Sequence, residues 1–332
     1  MRSIKNKYLF FLLRIMKDIF NPIKYKISSD LHSNNLGEYY FLFYEKNLEN
    51  QKGGQKSIIY DNDGIPINPT YIDVIDKPFV YFPITIGQVG LAVFHTYLQL
   101  KYDHDKQRFL KFVNWFRDHA EITEKLGARW LTNVSLPQYH NPGPWQSAFT
   151  QSRAISILLR GYQLTGNKDL AILSEKALIP FTVPVSEGGV TSLTHWGPFY
   201  EEYTAKSATL VLNGMIFSLC GLYDFIRVFP GHKLARKLYD DGIETLINSL
   251  NEFDMGYWSK YNLCSASWYP HVDPATVTYQ HLHIAQLTML YQLTGNENFR
   301  NYAEKFKRQL SFVNLIRMYC VKLVALKKLG RL

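Results

Sequence analysis

Cysteine is scarce in this chain of 332 residues. The three cysteines, Cys220, Cys264 and Cys320, show neither a metal-ligand spacing nor a disulfide framework. This argues against zinc fingers and disulfide-stapled scaffolds, and it makes a reducing compartment the simpler assumption. We predict neither a metal site nor a cofactor.

Long hydrophobic runs are absent from the N-terminus. The apolar stretch at residues 8–13 is followed closely by Arg14 and Lys17, and it is too short to span a bilayer. No small-residue cleavage site follows it, which argues against a signal peptide. We therefore expect a cytoplasmic protein, with peripheral attachment to the inner face of the membrane as an alternative.

Acidic residues are outnumbered by basic ones, 28 to 37, which gives a formal net charge of +9. A basic protein favours anionic partners, and no nucleic-acid-binding motif is present. Aromatic residues make up 15% of the chain, with 23 Tyr, 21 Phe and 6 Trp. Such rings stack on sugars, although they can equally form a large core. The charge and the aromatic content together favour an anionic polysaccharide as partner and disfavour nucleic acid.

The residue pattern divides the chain into three parts. Residues 1–80 contain Gly53-Gly54 and the turn signal Asp63-Gly64 between short apolar runs, which predicts a small N-terminal segment, extended or with a β-hairpin. Residues 81–312 form the predicted main domain. Residues 313–332 combine apolar and basic side chains, as in an amphipathic helix. Such a tail could rest on anionic lipid, but packing on the protein body is favoured.

An internal repeat predicts the architecture of the main domain. The sequence YQLTGN at residues 162–167 recurs at residues 291–296, and each copy leads into a charged helix. The Thr-Gly-Asn step is typical of a helix that ends at glycine. Weaker copies near residues 97–116 and 222–250 complete four pairs, each with a buried inner helix and an amphipathic outer helix. This predicts an all-α, incomplete (α/α) toroid, with a stacked solenoid of shorter repeats as the alternative.

Long connections between the helix pairs are the predicted location of the functional site, because the connections of a toroid gather at one end of the ring. They cover residues 127–145, 181–203 and 253–278. The segments richest in aromatic and polar groups are 194–203, 257–263 and 278–287.

Several short motifs occur in order along these segments: Tyr-Glu-Glu-Tyr at 200–203, Val-Leu-Asn-Gly at 211–214, Gly-Leu-Tyr-Asp at 221–224, and Tyr279 followed by His283-Ile284 and Gln286-Leu287. Over roughly residues 82–312 this series resembles the C-terminal domain of the D-glucuronyl C5-epimerases of heparan sulfate and heparosan-type synthesis. The resemblance implies catalytic tyrosines assisted by a glutamate. The matching residues are Tyr203, Tyr261, Tyr279 and Glu202.

The chain departs from the pattern of that family at two positions. Cys264 stands where the family usually has an arginine, and Thr204 stands where proline is common. Such an arginine would contact a carboxylate or a sulfate, so its loss bears on substrate identity more than on reaction type. The long β-rich N-terminal region of the animal enzymes is mostly absent.

Further residues are predicted to bind substrate: Trp145, Gln151, Arg153, Trp196, Tyr200, Asn213, Lys260 and His283. Ionising a free phenol at pH 7 costs roughly 4 kcal/mol, which a cationic site could supply. The candidates for that site are Arg153, Lys206, Lys260 and His283. His283 fits a satisfied core histidine nearly as well, Asn213 fits a helix cap equally well, and Glu201 is predicted to be structural.

The predicted reaction is inversion of C5 in glucuronate residues of a polysaccharide or its precursor. Tyrosines would remove a proton beside the carboxylate and return one to the opposite face. A uronate lyase starts with the same step and stays open, as do a non-catalytic polysaccharide-binding protein and a homodimer. A glycoside hydrolase needs two carboxylic acids about 5 to 9 Å apart, which Glu201 and Glu202 do not supply unless Asp254 or Asp273 joins one of them.

Overall fold

The computed structural model describes residues 4–20, 23, 25–50, 59–70, 74 and 79–332. Helices α1 (Ile4–Phe20) and α2 (Glu45–Asn50) precede the main body. The main body consists of four helix pairs, each an inner helix followed by an outer one: α3 (Pro83–Leu100) with α4 (Asp103–Asp118), α5 (Ala148–Thr165) with α6 (Lys168–Lys176), α7 (Leu212–Val228) with α8 (Lys233–Ser249), and α9 (Val277–Thr294) with α10 (Glu297–Arg308). A last helix, α11 (Phe312–Lys328), follows. The predicted all-α toroid of four helix pairs is confirmed.

Two turns within the pairs have the repeated sequence. Helix α5 ends at Gly166 with φ of 72°, and α9 ends at Gly295 with φ of 67°. This left-handed backbone suits glycine, which lacks a Cβ atom. Asn167 and Asn296 then cap the following helices, because each side chain accepts a hydrogen bond from a backbone N–H of the first helical turn.

The inner helices are buried on almost every face. On α5 every residue from Ala148 to Gly161 is buried. Helices α5 and α7 approach so closely that a Cβ atom on Gly221 would overlap Ser152. The hydroxyl of Ser152 donates to the carbonyl of Phe217 at 2.6 Å and accepts from the N–H of Gly221 at 2.8 Å. These bonds fix how the two helices cross.

Part of the N-terminal segment joins the core of the toroid. The hydroxyl of Tyr40 donates to Oδ1 of Asp224 on α7 at 2.8 Å, and Arg160 on α5 donates to Oδ2 of the same carboxylate at 2.8 Å. Arg160 also donates to the carbonyl of Gly37 at 3.1 Å. All three side chains are buried. Residues 37–40 therefore tie two inner helices together.

The predicted N-terminal hairpin is present, although the rest of that segment differs from the prediction. Strand β1 (Ile59–Tyr60) pairs antiparallel with β2 (Pro66–Pro69), and β2 pairs with β3 (Phe79–Val80). Gly53 and Gly54 lie outside the described residues. Ile4–Phe20 is helical where an extended or β-containing segment was predicted. Its apolar residues recur every three to four positions, and that period belongs to a helix.

Helices α1 and α11 pack on each other beside the start of α9. The rings of Phe11 and Tyr319 meet edge to face at 5.9 Å, and the hydroxyl of Tyr319 donates to Asp18 at 2.7 Å. Helix α11 buries Met318 and Ala325 against the body. Within the described ranges no single helix has the length and apolar character to cross a membrane. Only α10 and α11 taken together have that length and apolar character, and this pair is bent by 93°.

Two more hairpins lie in the connections between helix pairs. Strand β4 (Glu121–Thr123) pairs with β5 (Gly127–Arg129), and β6 (Thr191–Thr194) pairs with β7 (Gly197–Tyr200). Each long connection leaves the end of an outer helix and enters the start of the next inner helix. The connections therefore gather at one end of the ring, and that end holds the candidate site.

Candidate active site

Three tyrosines from separate parts of the chain meet at this end. Tyr203 follows β7, Tyr261 lies in the connection before α9, and Tyr279 lies in the first turn of α9. The ring centroids of Tyr261 and Tyr279 are 4.9 Å apart, and the two side chains share a hydrogen bond. Tyr203 is close enough to Tyr261 to raise its pKa. Together with Glu202, they are called the tyrosine cluster below.

Backbone bonds at two helix starts hold the cluster in place. The N–H of Tyr261 donates to the carbonyl of Asp273 at 2.8 Å, and its carbonyl accepts from the N–H of Leu212 at 3.2 Å. This links Tyr261 to the beginning of α7. The N–H of Tyr279 donates at 3.4 Å to the hydroxyl of Thr276, which caps α9.

An aromatic wall stands beside Tyr203. Its ring centroid is 5.2 Å from that of Trp145 and 5.6 Å from that of Tyr139. Tyr139 in turn stacks on Tyr269 at 5.4 Å. Flat apolar rings of this kind can pack against the face of a sugar.

Glu202 is the acidic member of the cluster. Its carboxylate accepts a hydrogen bond from Nδ2 of Asn213 at 3.1 Å and another from Tyr203. Burial raises the pKa of Glu202 to about 7, and these two hydrogen bonds act in the opposite direction. A Cβ atom on Gly214 would overlap the Glu202 side chain, so glycine is required at the start of α7 for this fit. Glu202 can therefore hold or release a proton near neutral pH.

Glu201, by contrast, is saturated with hydrogen bonds. One carboxylate oxygen accepts from the hydroxyl of Ser192 at 2.6 Å and the N–H of Thr209 at 3.1 Å. The other accepts from the hydroxyl of Thr209 at 2.6 Å and the N–H of Leu210 at 2.9 Å. These bonds hold the loop after Tyr203, which fits the structural role predicted for Glu201.

Burial favours the neutral form of the phenols of Tyr261 and Tyr279, whereas nearby cations favour the ionised form. Burial first, and then the charge of Glu202, raise the pKa of Tyr279 to about 12 and the pKa of Tyr261 well above its usual value. Arg14 on α1 and Arg331 beyond α11 lower the pKa of Tyr279. The ammonium of Lys322 on α11 lies 5.8 Å from the ring centroid of Tyr261. Cations near the tyrosines thus come from both ends of the chain.

A family model described as the C-terminus of D-glucuronyl C5-epimerase matches residues 124–308, more than half of the chain. The chain belongs to the D-glucuronyl C5-epimerase family. It is 27% identical over 176 residues to the D-glucuronyl C5-epimerase of Caenorhabditis elegans, a match that covers 50% of this chain and 29% of the nematode enzyme. It is also 27% identical over 275 residues to an uncharacterised protein of Methanocaldococcus jannaschii, across 76% of this chain and 85% of that protein.

The fold of this family member is similar to that of a second carbohydrate epimerase. The cellobiose 2-epimerase of Spirochaeta thermophila superposes with a TM-score of 0.52 at 12% identity, over 80% of this chain and 64% of the other. At that identity the likeness concerns the fold alone. The tyrosine cluster lies within residues 124–308, which the family model matches.

Of the four candidates for the predicted cationic site, Arg153 is contradicted by the structure, and Lys206 and Lys260 stay predictions. Arg153 is fully buried, and its guanidinium lies 4.6 to 5.3 Å from four ring centroids, those of Tyr39, Phe43, Phe149 and Phe217. It therefore cannot reach a substrate at the tyrosine cluster. The sequence analysis missed Arg14, Lys322 and Arg331, because nothing in the pattern shows that the two ends of the chain meet at the site.

Three other predicted substrate contacts lie away from the cluster. Gln151 donates to the carbonyls of Ala128 and Ala177, and Tyr200 donates to the carbonyl of Leu238 at 2.6 Å on an outer helix. Trp196 lies at the turn between β6 and β7 and packs on the core. These side chains belong to the packing of the fold. They were predicted as contacts because they lie in or near the right motifs, and sequence position does not give side-chain direction.

The remaining predicted contacts lie near the cluster. Trp145 forms its aromatic wall, Asn213 bonds Glu202, and Lys260 directly precedes Tyr261 and is half-buried. Cys264, where the family has arginine, is buried in the same hydrophobic cluster as Trp145. The wall is therefore apolar at the position where the family has a charge.

His283 lies under the cluster as a neutral side chain. Its ring centroid is 6.5 Å from that of Tyr279, and Nδ1 is 2.8 Å from the hydroxyl of Ser259. That hydroxyl already donates to Gln280 at 2.6 Å, so the network assigns the imidazole proton to Nδ1. Burial lowers the pKa of His283 to about 3, so His283 is not the cation that was considered in the sequence analysis.

A buried polar chain connects α11 with the aromatic wall. Lys322 donates to Asp273 at 2.6 Å, and the hydroxyl of Tyr269 donates to the other oxygen of that carboxylate at 2.9 Å. Asn262 then donates to the hydroxyls of Tyr269 at 2.7 Å and Tyr139 at 3.2 Å. Asp273 is therefore neutralised by a lysine and fixed in place.

A cleft of about 370 Å³ borders the aromatic wall. Its lining includes the rings of Tyr81, Trp115 and Trp130 and the polar side chains of His119, Glu121 and Asn133. Val80 also lines the cleft, and it packs against the hydrophobic cluster that contains Trp145. Among the described residues, no group of three or more His, Cys, Asp or Glu side chains is placed to hold a metal ion.

Proposed function

We propose that this chain inverts C5 of glucuronate residues in a polysaccharide or its precursor, with tyrosines that remove and return the proton. The observation that carries the proposal is that Tyr203 with Glu202, Tyr261, and Tyr279 come together from three separate parts of the chain. Membership of a carbohydrate epimerase family supports the reaction type. The family description names the glucuronyl group, and this supports the substrate.

The chemistry needs two proton-transfer groups on opposite faces of one sugar ring. One tyrosine, as phenolate, takes the C5 proton, and the electron pair of the broken C–H bond moves into the adjacent carboxylate. A second tyrosine, as phenol, gives its proton to the other face of C5, and the electron pair returns to form the new C–H bond. The net change is inversion at C5, and one tyrosine is left protonated in exchange for the other.

Cations near the cluster lower the cost of these charges. Forming a phenolate from a phenol with a pKa near 12 is unfavourable at neutral pH. Arg14 and Arg331 act on Tyr279. The same cations would stabilise the negative charge that builds up on the substrate carboxylate.

Glu202 is the proposed proton store of the reaction. Its pKa of about 7 and its hydrogen bond with Tyr203 suit it to accept the phenol proton before the reaction and to return it afterwards. Asn213 positions its carboxylate from α7. A cluster containing one such carboxylate is better suited to proton exchange through tyrosines than to glycoside hydrolysis. Asp254 and Asp273, which a hydrolase would need, are each paired with a lysine.

The surroundings of the cluster support a polymeric, anionic substrate. The cleft beside the aromatic wall could hold a neighbouring sugar, because its rings and polar edges are what a pyranose contacts. The net charge of +9 attracts a polyanion. The buried Cys264 gives no charge to bind a sulfate, so the proposed substrate is an unsulfated uronate chain.

Deuterium exchange at C5 tests the reaction. Glucuronate-containing oligosaccharides incubated with the protein in D₂O should gain deuterium at C5 and form iduronate, without the ultraviolet absorbance of an unsaturated product. Tyr279→Phe, Tyr261→Phe and Tyr203→Phe should each slow iduronate formation by about 10²- to 10⁴-fold if that tyrosine transfers a proton. A variant that still exchanges C5 of glucuronate but forms no iduronate identifies the tyrosine that serves the opposite face.

Tyr291→Phe is the matched control, because Tyr291 lies on the same helix as Tyr279 but at its other end. It should leave the rate unchanged. A rise in absorbance would show that the protein is a lyase and not an epimerase, since a lyase starts from the same proton removal. Binding of uronate oligosaccharides without any exchange would leave a non-catalytic binding protein.

A further inference from the structure

Helix α1 turns its apolar face towards solvent. Leu9, Leu12, Leu13, Met16 and Phe20 are between 55% and 77% exposed. They recur at three- and four-residue intervals, so they form one continuous stripe along the helix. A surface helix of a soluble protein normally shows the opposite arrangement, with this stripe against the core.

The polar side of α1 is the side that faces the protein. Asp18 is almost fully buried and accepts hydrogen bonds from Tyr319 at 2.7 Å and from Thr278 at 3.4 Å. Arg14 donates to Thr276 at 3.5 Å. These bonds fix the rotation of the helix about its axis, so the apolar stripe is held outward.

Helix α11, which contacts α1, also exposes apolar residues. Its exposed apolar residues are Phe312, Val313, Ile316 and Val324, each at least 51% exposed. The two helices are in direct contact through Phe11 and Tyr319. The exposed apolar residues of α1 and α11 together are called the docking face below. These nine exposed residues lie on two helices that touch each other, whereas the exposed apolar residues of an ordinary surface are scattered singly.

The charge of the two helices points to an anionic occupant. Helix α1 carries two lysines before Tyr8, then Arg14 and Lys17, against one acidic residue, the buried Asp18. Helix α11 carries Arg317, Lys327 and Lys328, all exposed, and no acidic residue, while its remaining lysine, Lys322, is paired with Asp273. A second copy of the chain would bring like charges together across the interface, whereas anionic phospholipid head groups would neutralise them.

We propose that the docking face binds the surface of a bilayer that contains anionic phospholipids, with its apolar stripe at the level of the head groups and upper acyl chains. This is the binding mode of an interfacial amphipathic helix, in which basic residues reach the head groups. Neither helix crosses the bilayer in this arrangement. Arg14 of α1 donates to Thr276 at the start of α9, so the docking face adjoins the helix that carries Tyr279.

Vesicle co-sedimentation of the full chain tests the docking face. The probes are vesicles of phosphatidylglycerol with phosphatidylcholine and vesicles of phosphatidylcholine alone. The wild-type chain should bind the anionic vesicles and release as salt is raised. The double variant Leu13→Glu with Val313→Glu should bind about tenfold more weakly or less. Both residues are exposed, so its melting temperature should equal that of the wild type.

Leu193→Glu is the matched control, since Leu193 is 77% exposed but lies on β6, outside the docking face. It should bind as the wild type does.

In a Phe20→Trp variant, anionic vesicles should shift the added indole emission to shorter wavelength, which reports insertion and not attraction alone. Failure of the wild type to bind, or equal binding by the double variant, overturns the proposal. If the wild type is a dimer that does not bind vesicles, and the double variant is a monomer, the docking face binds a second copy and the proposal is overturned. No substrate is needed, so either result leaves the proposed reaction untouched.

Discussion

Burial shifts the pKa values of the ionisable residues at the site. Burial raises the pKa of Glu202 to about 7 and that of Tyr279 to about 12, and it lowers the pKa of His283 to about 3. Each shift favours the neutral form, because the charged form is poorly solvated inside the protein. The resting site therefore holds few charges of its own. Arg14 and Arg331 supply positive charge near Tyr279, and Glu202 is the group of the cluster whose charge changes near neutral pH.

Glu202 should make the stability of the protein depend on pH. Its folded-state pKa of about 7 lies above its ordinary value of 4.5. The stability it contributes is therefore fully present below pH 4.5 and is lost as the pH rises through 7, a loss of about 3 kcal/mol. Glu202→Gln removes this titration. Urea unfolding from pH 4.5 to 8 should show the free energy of unfolding of the wild type falling relative to that of the variant.

Glu244→Gln is the control for that series, because Glu244 is exposed on the outer helix α8. Its free energy of unfolding should run parallel to that of the wild type across the same pH range. If the Glu202→Gln curve also runs parallel, the carboxyl of Glu202 titrates normally and cannot be the proposed proton store.

Helices and their turns were the part of the structure most open to prediction. The residue types of Gly166 and Asn167 alone predict the end of one helix and the start of the next. The sequence repeat predicts that this unit occurs again. Side-chain direction on the inner helices could not be predicted. A helix that is apolar on all sides has no periodic signal to say which face points to the site. This is why Gln151 and Arg153 were wrongly placed, whereas the tyrosines, placed by the ordered motifs, do lie together.

The crossing of α5 and α7 should be intolerant of one added carbon. Gly221→Ala places a Cβ atom against the backbone of Ser152, which cannot move aside as a flexible side chain would. The free energy of unfolding should fall by about 1–3 kcal/mol, even though alanine itself favours helix. Gly231→Ala, at a turn with open space around it, should change the free energy of unfolding by less than about 0.5 kcal/mol in the same urea titration.

The whole molecule depends on contacts between distant parts of the chain. Tyr40 and Asp224 are 184 residues apart in sequence, yet their hydrogen bond joins the N-terminal segment to the inner helices. Such a contact leaves no periodic trace in the sequence, so residues 37–40 were assigned to a separate segment. The same reason hid the meeting of α1 with α11.

Asp224 should be the most sensitive single carboxylate of the core. It faces Arg160 at 2.8 Å and Arg227 at 3.6 Å, all three buried, so Asp224→Asn removes the carboxylate charge that these two guanidinium groups share. Arg227 keeps Asp30 at 3.6 Å, so Arg160 is the guanidinium left without a carboxylate partner. We expect a loss of about 3–5 kcal/mol in the free energy of unfolding, measured by urea titration. Asp240→Asn, in an exposed pair with Arg236 at 3.8 Å, should cost under about 0.5 kcal/mol. Equal effects of the two changes would contradict a buried ion pair at the centre of the toroid.

The tyrosines of the site and the cations near them come from two different parts of the fold. The tyrosines belong to the connections and inner helix of the toroid, while Arg14, Lys322 and Arg331 belong to the helices and tail at the chain ends. Terminal segments can be lengthened, shortened or exchanged without repacking the toroid. A lineage could therefore adapt such a scaffold to polymers of different charge by recombining its ends, and the tyrosines would keep the same reaction throughout.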